Sequence, residues 1–507
     1  MCIAQAMILL DNTIVNVALP SIQHDLGVTP GNLEWIVNAY VLALASLILV
    51  GGTLGDRHGR RRLMLIGLTS FTVMSAACAL STDEHLLIIF RALQGIGAAI
   101  VAPLTLSILA ATFAPERRAS AFGIWAAAAG IGFGGGPIVG GLLLSQFGWA
   151  SVFWVNVPIG VAGILMVAWV VPESRDSAPR RLDLPGSGLI SAALLVLTFA
   201  VIETDEAGWV SAQTIGLLAA AVVMFVAFVW HESRTAEPML PLDFFRSARF
   251  SVASGVYAVM YAALAGVFFF VTLLFQDVKG WSALRLGLSW LVMNLPFLAI
   301  SIFAGRLTRL IGTATCWIGV MLGGLGILDF AFVDANSSFW QAVPGYLLIG
   351  FGYGMAVPTL SAAAMQSVPA ERSGVGAGVL NTARQAGASV GLAVLGSISL
   401  SIVSRAWNSR IPQLPPGSRS AAHGLVERVA GGEAAAIQKQ LGGNAFHLAV
   451  DSFVPGMRAA LLVAGILMLL ASAGSFLALR PPRPVSVPAA GEAPAHQPTL
   501  ARYDEAR

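Results

Sequence analysis

Long apolar runs recur along the whole chain, separated by short polar or Pro/Gly-rich breaks. Each is long enough to cross a hydrocarbon layer about 30 Å thick as a helix. Runs near residues 3–22, 33–54, 63–81, 86–110, 119–145 and 151–171 come first. A polar stretch from Pro172 separates them from two runs near 185–203 and 212–230, and a second polar stretch ends around Arg249. Six more follow near 251–274, 284–305, 313–333, 339–362, 374–402 and 455–479, which makes fourteen expected spans. The pattern predicts an all-α membrane protein.

The chain also repeats itself. Leu93, Gly95, Gly97, Pro103, Glu116, Arg117, Gly123 and Ala128 return 255 residues later as Leu348, Gly350, Gly352, Pro358, Glu371, Arg372, Gly378 and Ala383. Gly52, Leu54 and Gly59 return 253 residues later as Gly305, Leu307 and Gly312. Spans 1–6 therefore match spans 9–14. Both sets start on the same side, so the repeat is parallel, about an axis along the membrane normal, and spans 7 and 8 are an insertion. The expected organisation is a six-helix bundle at 1–171, a linker with two inserted helices at 172–250, and a second bundle at 251–479. That second bundle carries a long outer loop at 403–453, read as a solvated connector in preference to one or two short amphipathic helices that Gly431 and Gly432 would interrupt, and the Pro- and Ala-rich tail at 480–507 is expected to be disordered. Two bundles around a midplane cavity is a transporter plan.

Composition removes the soluble classes: 56% of the 507 residues are hydrophobic and 11% charged, with a mean hydropathy of +0.78. The net charge is +3, and the arginines lie at helix ends rather than on one surface, so no nucleic-acid partner is expected. Arg57, Arg60, Arg61, Arg62, Arg117, Arg118, Arg175, Arg180, Arg181, Arg234, Arg246, Arg249, Arg306, Arg309 and Arg372 all fall on one side. That side is expected to be cytoplasmic, with both termini, in a cell inner (plasma) membrane. The opposite short loops carry Asp83, Glu84, Glu203, Asp205 and Glu206 with Lys279 and Arg285 as their basic residues, although the 403–453 loop adds Arg405, Arg410, Arg419, Arg428 and Lys439. The first residues read as span 1 rather than a signal peptide. Cys2, Cys78 and Cys316 are too scattered for a metal site or a disulfide framework, and no HExxH or GxxxxGK[ST] motif is present. Neither a metal centre, ATP hydrolysis nor enzymatic chemistry is expected.

Four segments carry mechanism. Between spans 2 and 3, "GGTLGDRHGRRR" reads as a tight Gly-bounded turn holding Asp56 among basic residues that include Arg57 and Arg60. Span 5 contains Gly123, Gly132, Gly136, Pro137, Gly140 and Gly141; positions 132, 136 and 140 share one face, where backbones can approach closely. Pro137 removes the hydrogen bond to the Phe133 carbonyl and predicts a bend. Arg91 and Gln94 in span 4 lie on one face, and a charge within a span has to face a cavity or a partner. Asp11 sits in the middle of span 1 with Asn12 and Asn16 nearby. Burial favours a neutral carboxyl and a nearby cation favours the anion, so a movable arginine would let protonation of Asp11 follow conformation. Asn381, Arg384 and Gln385 share a face of span 13 and, with Asn12, Asn16 and Gln94, are expected near the substrate cavity.

The loop residues Gly52, Leu54, Asp56, Arg57, Gly59, Arg60 and Arg61 resemble the signature of the major facilitator superfamily between helices 2 and 3. The resemblance implies a major facilitator fold and a gating role for Gly52, Asp56, Arg57, Gly59 and Arg60; the second copy is degenerate, with Arg309 in place of the acid. The glycine string of span 5 is similar to the pattern of the superfamily's antiporters, which implies export. "IIFRALQGIGAA" resembles the helix 4 motif of drug:proton antiporters, which implies proton transfer at Arg91. "LLDNTIVNVALP" and "FWVNVPIG", at Phe153–Gly160, are similar to the fourteen-helix drug exporters. The implied protein is a monomeric multidrug or antibiotic exporter that uses protons as coupling ion, needs no cofactor and takes an amphipathic or cationic small molecule. Its rivals are an exporter of an endogenous metabolite, peptide or siderophore, and a non-transporting membrane sensor.

Overall fold

Inside lipid no water is available to backbone N–H and C=O groups, so a chain this apolar closes its hydrogen bonds within helices. The computed structural model describes residues 1–28, 30–175, 183–202, 211–235, 238, 240, 242–442 and 444–479, apart from the side chains at 30–32, 34, 137, 283 and 284. The tail at 480–507, Arg180 and Arg181 of the linker, and the acids Glu203, Asp205 and Glu206 lie outside the described residues.

The helices are α1 Cys2–Leu26, α2 Pro30–His58, α3 Arg60–Ala79, α4 Glu84–Thr112 and α5 Pro115–Phe147. Next come α6 Ser151–Val170, α7 Leu184–Ile202, α8 Ala212–Glu232, and α9 Ala248–Thr272, which a π-turn extends to Val278. Then α10 Leu291–Ile311, α11 Ala314–Phe330, α12 Phe339–Gln366, α13 Ser373–Arg410 and α14 Ala445–Ala478 complete the set. Twelve of these, or runs joining them to a neighbouring turn, are long and apolar enough to span a membrane; α5 passes as a bent pair, and α11 is apolar but shorter. Local chemistry sets several ends. The Asp83 carboxylate accepts from the N–H groups of His85 and Leu86 and so caps α4.

Packing repeats as the sequence does. In the first half α4 packs on α2 and α3, α5 on α1, and α6 on α3; in the second, α12 packs on α10 and α11, α13 on α9, and α14 on α11. Across the two halves α2 meets α13 and α5 meets α10, contacts related by the same repeat. The inserted helices α7 and α8 pack on each other, with α7 against α2 and α13. The fold is thus two parallel six-helix repeats with an inserted pair.

Three boundaries differ from the sequence reading. The segment 51–62 is not a turn: α2 runs through Asp56 to His58, and only Gly59, at φ 103°, breaks it before α3. Glycine reaches that conformation without the Cβ clash that strains other residues. Helices α13 and α14 run to Arg410 and from Ala445, well past the apolar runs, because a helix leaving the membrane continues on polar residues that hydropathy does not mark. Between them the connection expected to be a solvated loop folds. Short helices Arg419–Ala422, Val426–Ala430 and Ala434–Leu441, with the 3-10 turn His423–Leu425, bury Leu425, Val429, Ile437 and Leu441 against the second half, and Trp407 Nε1 donates to the Ala422 carbonyl at 2.8 Å.

Candidate functional site

Polar side chains from five helices meet in the first half, and the charges among them are fully buried. Arg91 Nη1 of α4 donates to Asp11 Oδ2 of α1 at 2.6 Å and to Gln94 Oε1 at 2.7 Å. Gln94 Nε2 in turn donates to Asp11 Oδ1 at 3.0 Å. Asn156 Nδ2, from α6, donates to the same Oδ1 at 2.7 Å and to Ser75 Oγ of α3 at 3.1 Å. Arg91 Nε donates to the Ile36 carbonyl of α2 at 3.0 Å, and its guanidinium lies 4.3 Å from the Tyr40 ring centre. Asp11, Arg91, Gln94, Asn156 and Tyr40 are all 0% exposed. Arg91 Nη2 and Tyr40 Oη have no hydrogen-bond partner among the described residues. A buried group left partly unsatisfied is held by geometry rather than by a complete network.

The sequence reading missed Asn156 as part of this group. Removing its amide strips one donor from a buried carboxylate. Asn156→Ala is expected to lower unfolding stability by about 1–3 kcal/mol, read as a fall in thermal midpoint of the purified protein, with Asn156→Gln intermediate. An unchanged midpoint would show that the amide contributes nothing net.

One residue along α1, the helix presents a different face. Leu9 and Asn12 line a central cavity of about 300 Å³. Its walls come from α1, α5, α9, α10, α12 and α13, with Trp125, Phe133, Tyr261, Phe268, Phe297 and Tyr353 supplying aromatic rings. Asn12, Asn294, Arg384 and Gln385 are its principal polar groups. Of the six residues expected here, Asn12, Arg384 and Gln385 are on the wall and three are not. Gln94 is turned into the Asp11 group, where both its amide oxygen and its amide nitrogen are engaged. Asn16 donates to the Asn12 carbonyl on its own helix. Asn381 is buried and donates to the Ala377 carbonyl of its own helix.

The glycines of α5 divide between two neighbours. A Cβ at Gly132 would strike the Ala6 backbone, one at Gly136 the Thr13 side chain, and one at Gly140 Ile14, so this face sits tightly on α1; Gly123 abuts the Ser301 carbonyl of α10 instead, and Gly141 faces open space. The segments Pro115–Gly136 and Ile138–Phe147 meet at 43°. The Pro137 side chain lies outside the described residues, but the Phe133 carbonyl that it cannot bond has Thr13 Oγ1 at 3.2 Å. The second half carries an unforeseen copy: Gly387 and Gly391 press on Ala258 and Ala262 of α9.

On the face bearing the 56–60 segment the two halves are stitched together. Asp56 Oδ1 accepts from Arg60 Nε at 2.7 Å and from the Gly374 N–H at 2.8 Å, and Oδ2 accepts from the Val375 N–H at 2.9 Å. The carboxylate of α2 therefore sits on the N-terminus of α13, where free N–H groups and the helix dipole favour an anion. Arg60 Nη2 donates to the carbonyls of Ala370 and Glu371, both at 2.8 Å. Gly52 and Gly374 let the backbones of α2 and α13 touch. Ser107 and Ser373 Oγ atoms lie 3.1 Å apart across the same seam. Gly59 leaves room for the Glu173 carboxylate, which accepts from the N–H groups of Arg61 and Arg62. Arg57 makes no hydrogen bond or ion pair among the described residues.

Comparison with known proteins places this architecture. The profile described as Major Facilitator Superfamily matches residues 1–392. The chain belongs to the major facilitator superfamily. It is 33% identical over 474 residues to the tetracenomycin C resistance and export protein of Streptomyces glaucescens, covering 92% of this chain and 88% of that one. It is 36% identical over 475 residues to the multidrug resistance protein Stp of Mycobacterium tuberculosis (strain CDC 1551 / Oshkosh), covering 90% and 87%. Among solved structures it superposes on the human organic anion transporter MFSD10 (TETRAN) with a TM-score of 0.61 at 18% identity, covering 94% and 97%, a likeness of fold alone. As a member of this superfamily, the chain is a multi-pass membrane transporter and not an enzyme.

Proposed function

We propose that this transporter is a proton-coupled antiporter that exports a small organic molecule, such as a drug, antibiotic or toxic metabolite, by alternating access. In this reading it lies in the inner membrane with both termini cytoplasmic, and Asp56 and Arg60 close the cytoplasmic side. The carrying observation is the arrangement on α1: Asp11 faces the buried Arg91 group while its neighbour Asn12 faces the cavity. A turn or shift of this one helix acts on both. Protonation of Asp11 from outside cancels its attraction to Arg91 and frees α1 to move; the two halves then rock, and deprotonation inside restores the pair and the binding-competent cavity. The export named for the Streptomyces relative, and the resistance named for both, support the direction.

The driving force suffices. One proton moving down 100 mV supplies about 2.3 kcal/mol, and one pH unit about 1.4 more, enough for a gradient of several hundred-fold. The test is transport in proteoliposomes with an imposed pH gradient and a panel of aromatic dyes. A dye is expected to move against its own gradient, opposite to the protons, and to stop when a protonophore is added. Flux indifferent to the protonophore would remove proton coupling from the account.

A further inference from the structure

The cavity wall holds one formal charge. None of the described residues lining it is acidic, and Arg384 is its single cation. The fully buried Arg91, by contrast, is neutralised by Asp11. Arg384 has no such partner: among the described residues it makes no ion pair and no hydrogen bond, and its guanidinium stands 5.6 Å from the Tyr261 ring centre. A guanidinium keeps its charge and offers a planar fork matched to a carboxylate or phenolate. Held in an apolar, ring-lined cavity without a counter-charge, it is a permanent cation awaiting an anion. Asn12, Asn294 and Gln385 add neutral donors, and Asn294 Nδ2 is itself unpaired. Tyr261, Phe268 and Phe297 offer faces on which a flat ring system can stack.

We infer that the cavity selects aromatic anions, with the acid group of the substrate on Arg384 and its ring among the aromatic walls. This rests on the proposed transport reading for its biological sense, and it replaces the cation half of the expectation drawn from the sequence. A cation in this cavity meets a like charge and no acid.

The test is equilibrium binding to the full-length protein in nanodiscs, with no gradient, using fluorescein and rhodamine 123, which share a xanthene ring system and differ in charge. Fluorescein is expected to bind at least about tenfold more tightly, as loss of a charge-assisted hydrogen bond predicts. Arg384→Gln is expected to weaken fluorescein by about the same factor while leaving rhodamine 123 unchanged, and Arg384→Lys to retain the preference. Equal or tighter binding of rhodamine 123, binding of neither dye, or fluorescein affinity unmoved in Arg384→Gln overturns the inference. Where Arg384→Gln does not give monodisperse protein, Arg384→Lys decides: a preference kept supports the inference and a preference lost overturns it. Because no gradient is present, anion-selective binding without proton-driven transport strikes only the export reading. Gradient-driven export of rhodamine 123 without fluorescein binding strikes only this one.

Discussion

Arg91→Ala is expected to destabilise the transporter by about 3–5 kcal/mol and to reduce transport to background, because it leaves the Asp11 carboxylate buried beside no cation. Asp11 is 0% exposed, and after the change its remaining donors are two neutral amides, from Gln94 and Asn156. The same loss removes the Arg91 donor from the Ile36 carbonyl and from Gln94 Oε1, leaving the latter only the weak Cys78 Sγ contact at 3.9 Å. Arg91→Lys restores a charge but not the fork that reaches all three acceptors, so partial recovery of stability is expected with weak transport. The double change Asp11→Asn with Arg91→Ala is expected to be more stable than Arg91→Ala alone, since no unpaired charge remains. Thermal unfolding of the purified variants reads these differences. A single change that costs less than about 1 kcal/mol would show that the pair is not what holds α1 to α4.

Locking the seam between α2, α4 and α13 should abolish transport reversibly. Ser107 and Ser373 Oγ atoms are 3.1 Å apart, a spacing that two cysteine sulfurs can close to a bond near 2.05 Å with little backbone movement. Ser107→Cys with Ser373→Cys is therefore expected to form a disulfide under mild oxidation, to drop transport by about a hundredfold, and to recover on reduction. The native Cys78 and Cys316 are buried, and the partly exposed Cys2 is changed to Ser in the test background so that it does not compete. Asp56→Ala acts in the opposite sense: Gly374 and Val375 lose the acceptor for their N–H groups, and Arg60 loses its counter-ion. It is expected to loosen the closed state and slow disulfide formation in the double-cysteine background. Full transport by the oxidised double variant would mean that this seam stays shut throughout the cycle.

The long-range architecture was legible because lipid makes each span an apolar run and because the two halves keep the same glycines in register. The pairing of Asp11 with Arg91 was only partly legible. Arg91 and Gln94 share a face by helical spacing, but spacing does not say what the face meets, and Gln94 proved to face α1 rather than the cavity. Asn156 lies 145 residues from Asp11, and a single amide in an apolar helix leaves no periodic trace. The folding of the connection between α13 and α14 was legible only as an alternative to a solvated connector, because its buried Leu425, Val429 and Ile437 fall in helices of three to eight residues interrupted at Gly431 and Gly432. The spacing of Gly52, Asp56 and Gly59 marked out the segment, yet nothing in the local sequence indicated that Asp56 sits on the N-terminus of α13, more than 300 residues away.

The central claim is that Asp11 couples protons to substrate without being needed to bind it. The decisive measurement compares Asp11→Asn with the parent in proteoliposomes by two assays: exchange of labelled substrate at equal concentrations on both sides, and accumulation driven by a pH gradient. A neutral carboxamide mimics the protonated acid, so the account predicts that exchange persists while gradient-driven accumulation falls to the level of empty liposomes. Accumulation by Asp11→Asn equal to that of the parent would contradict it and place the proton elsewhere.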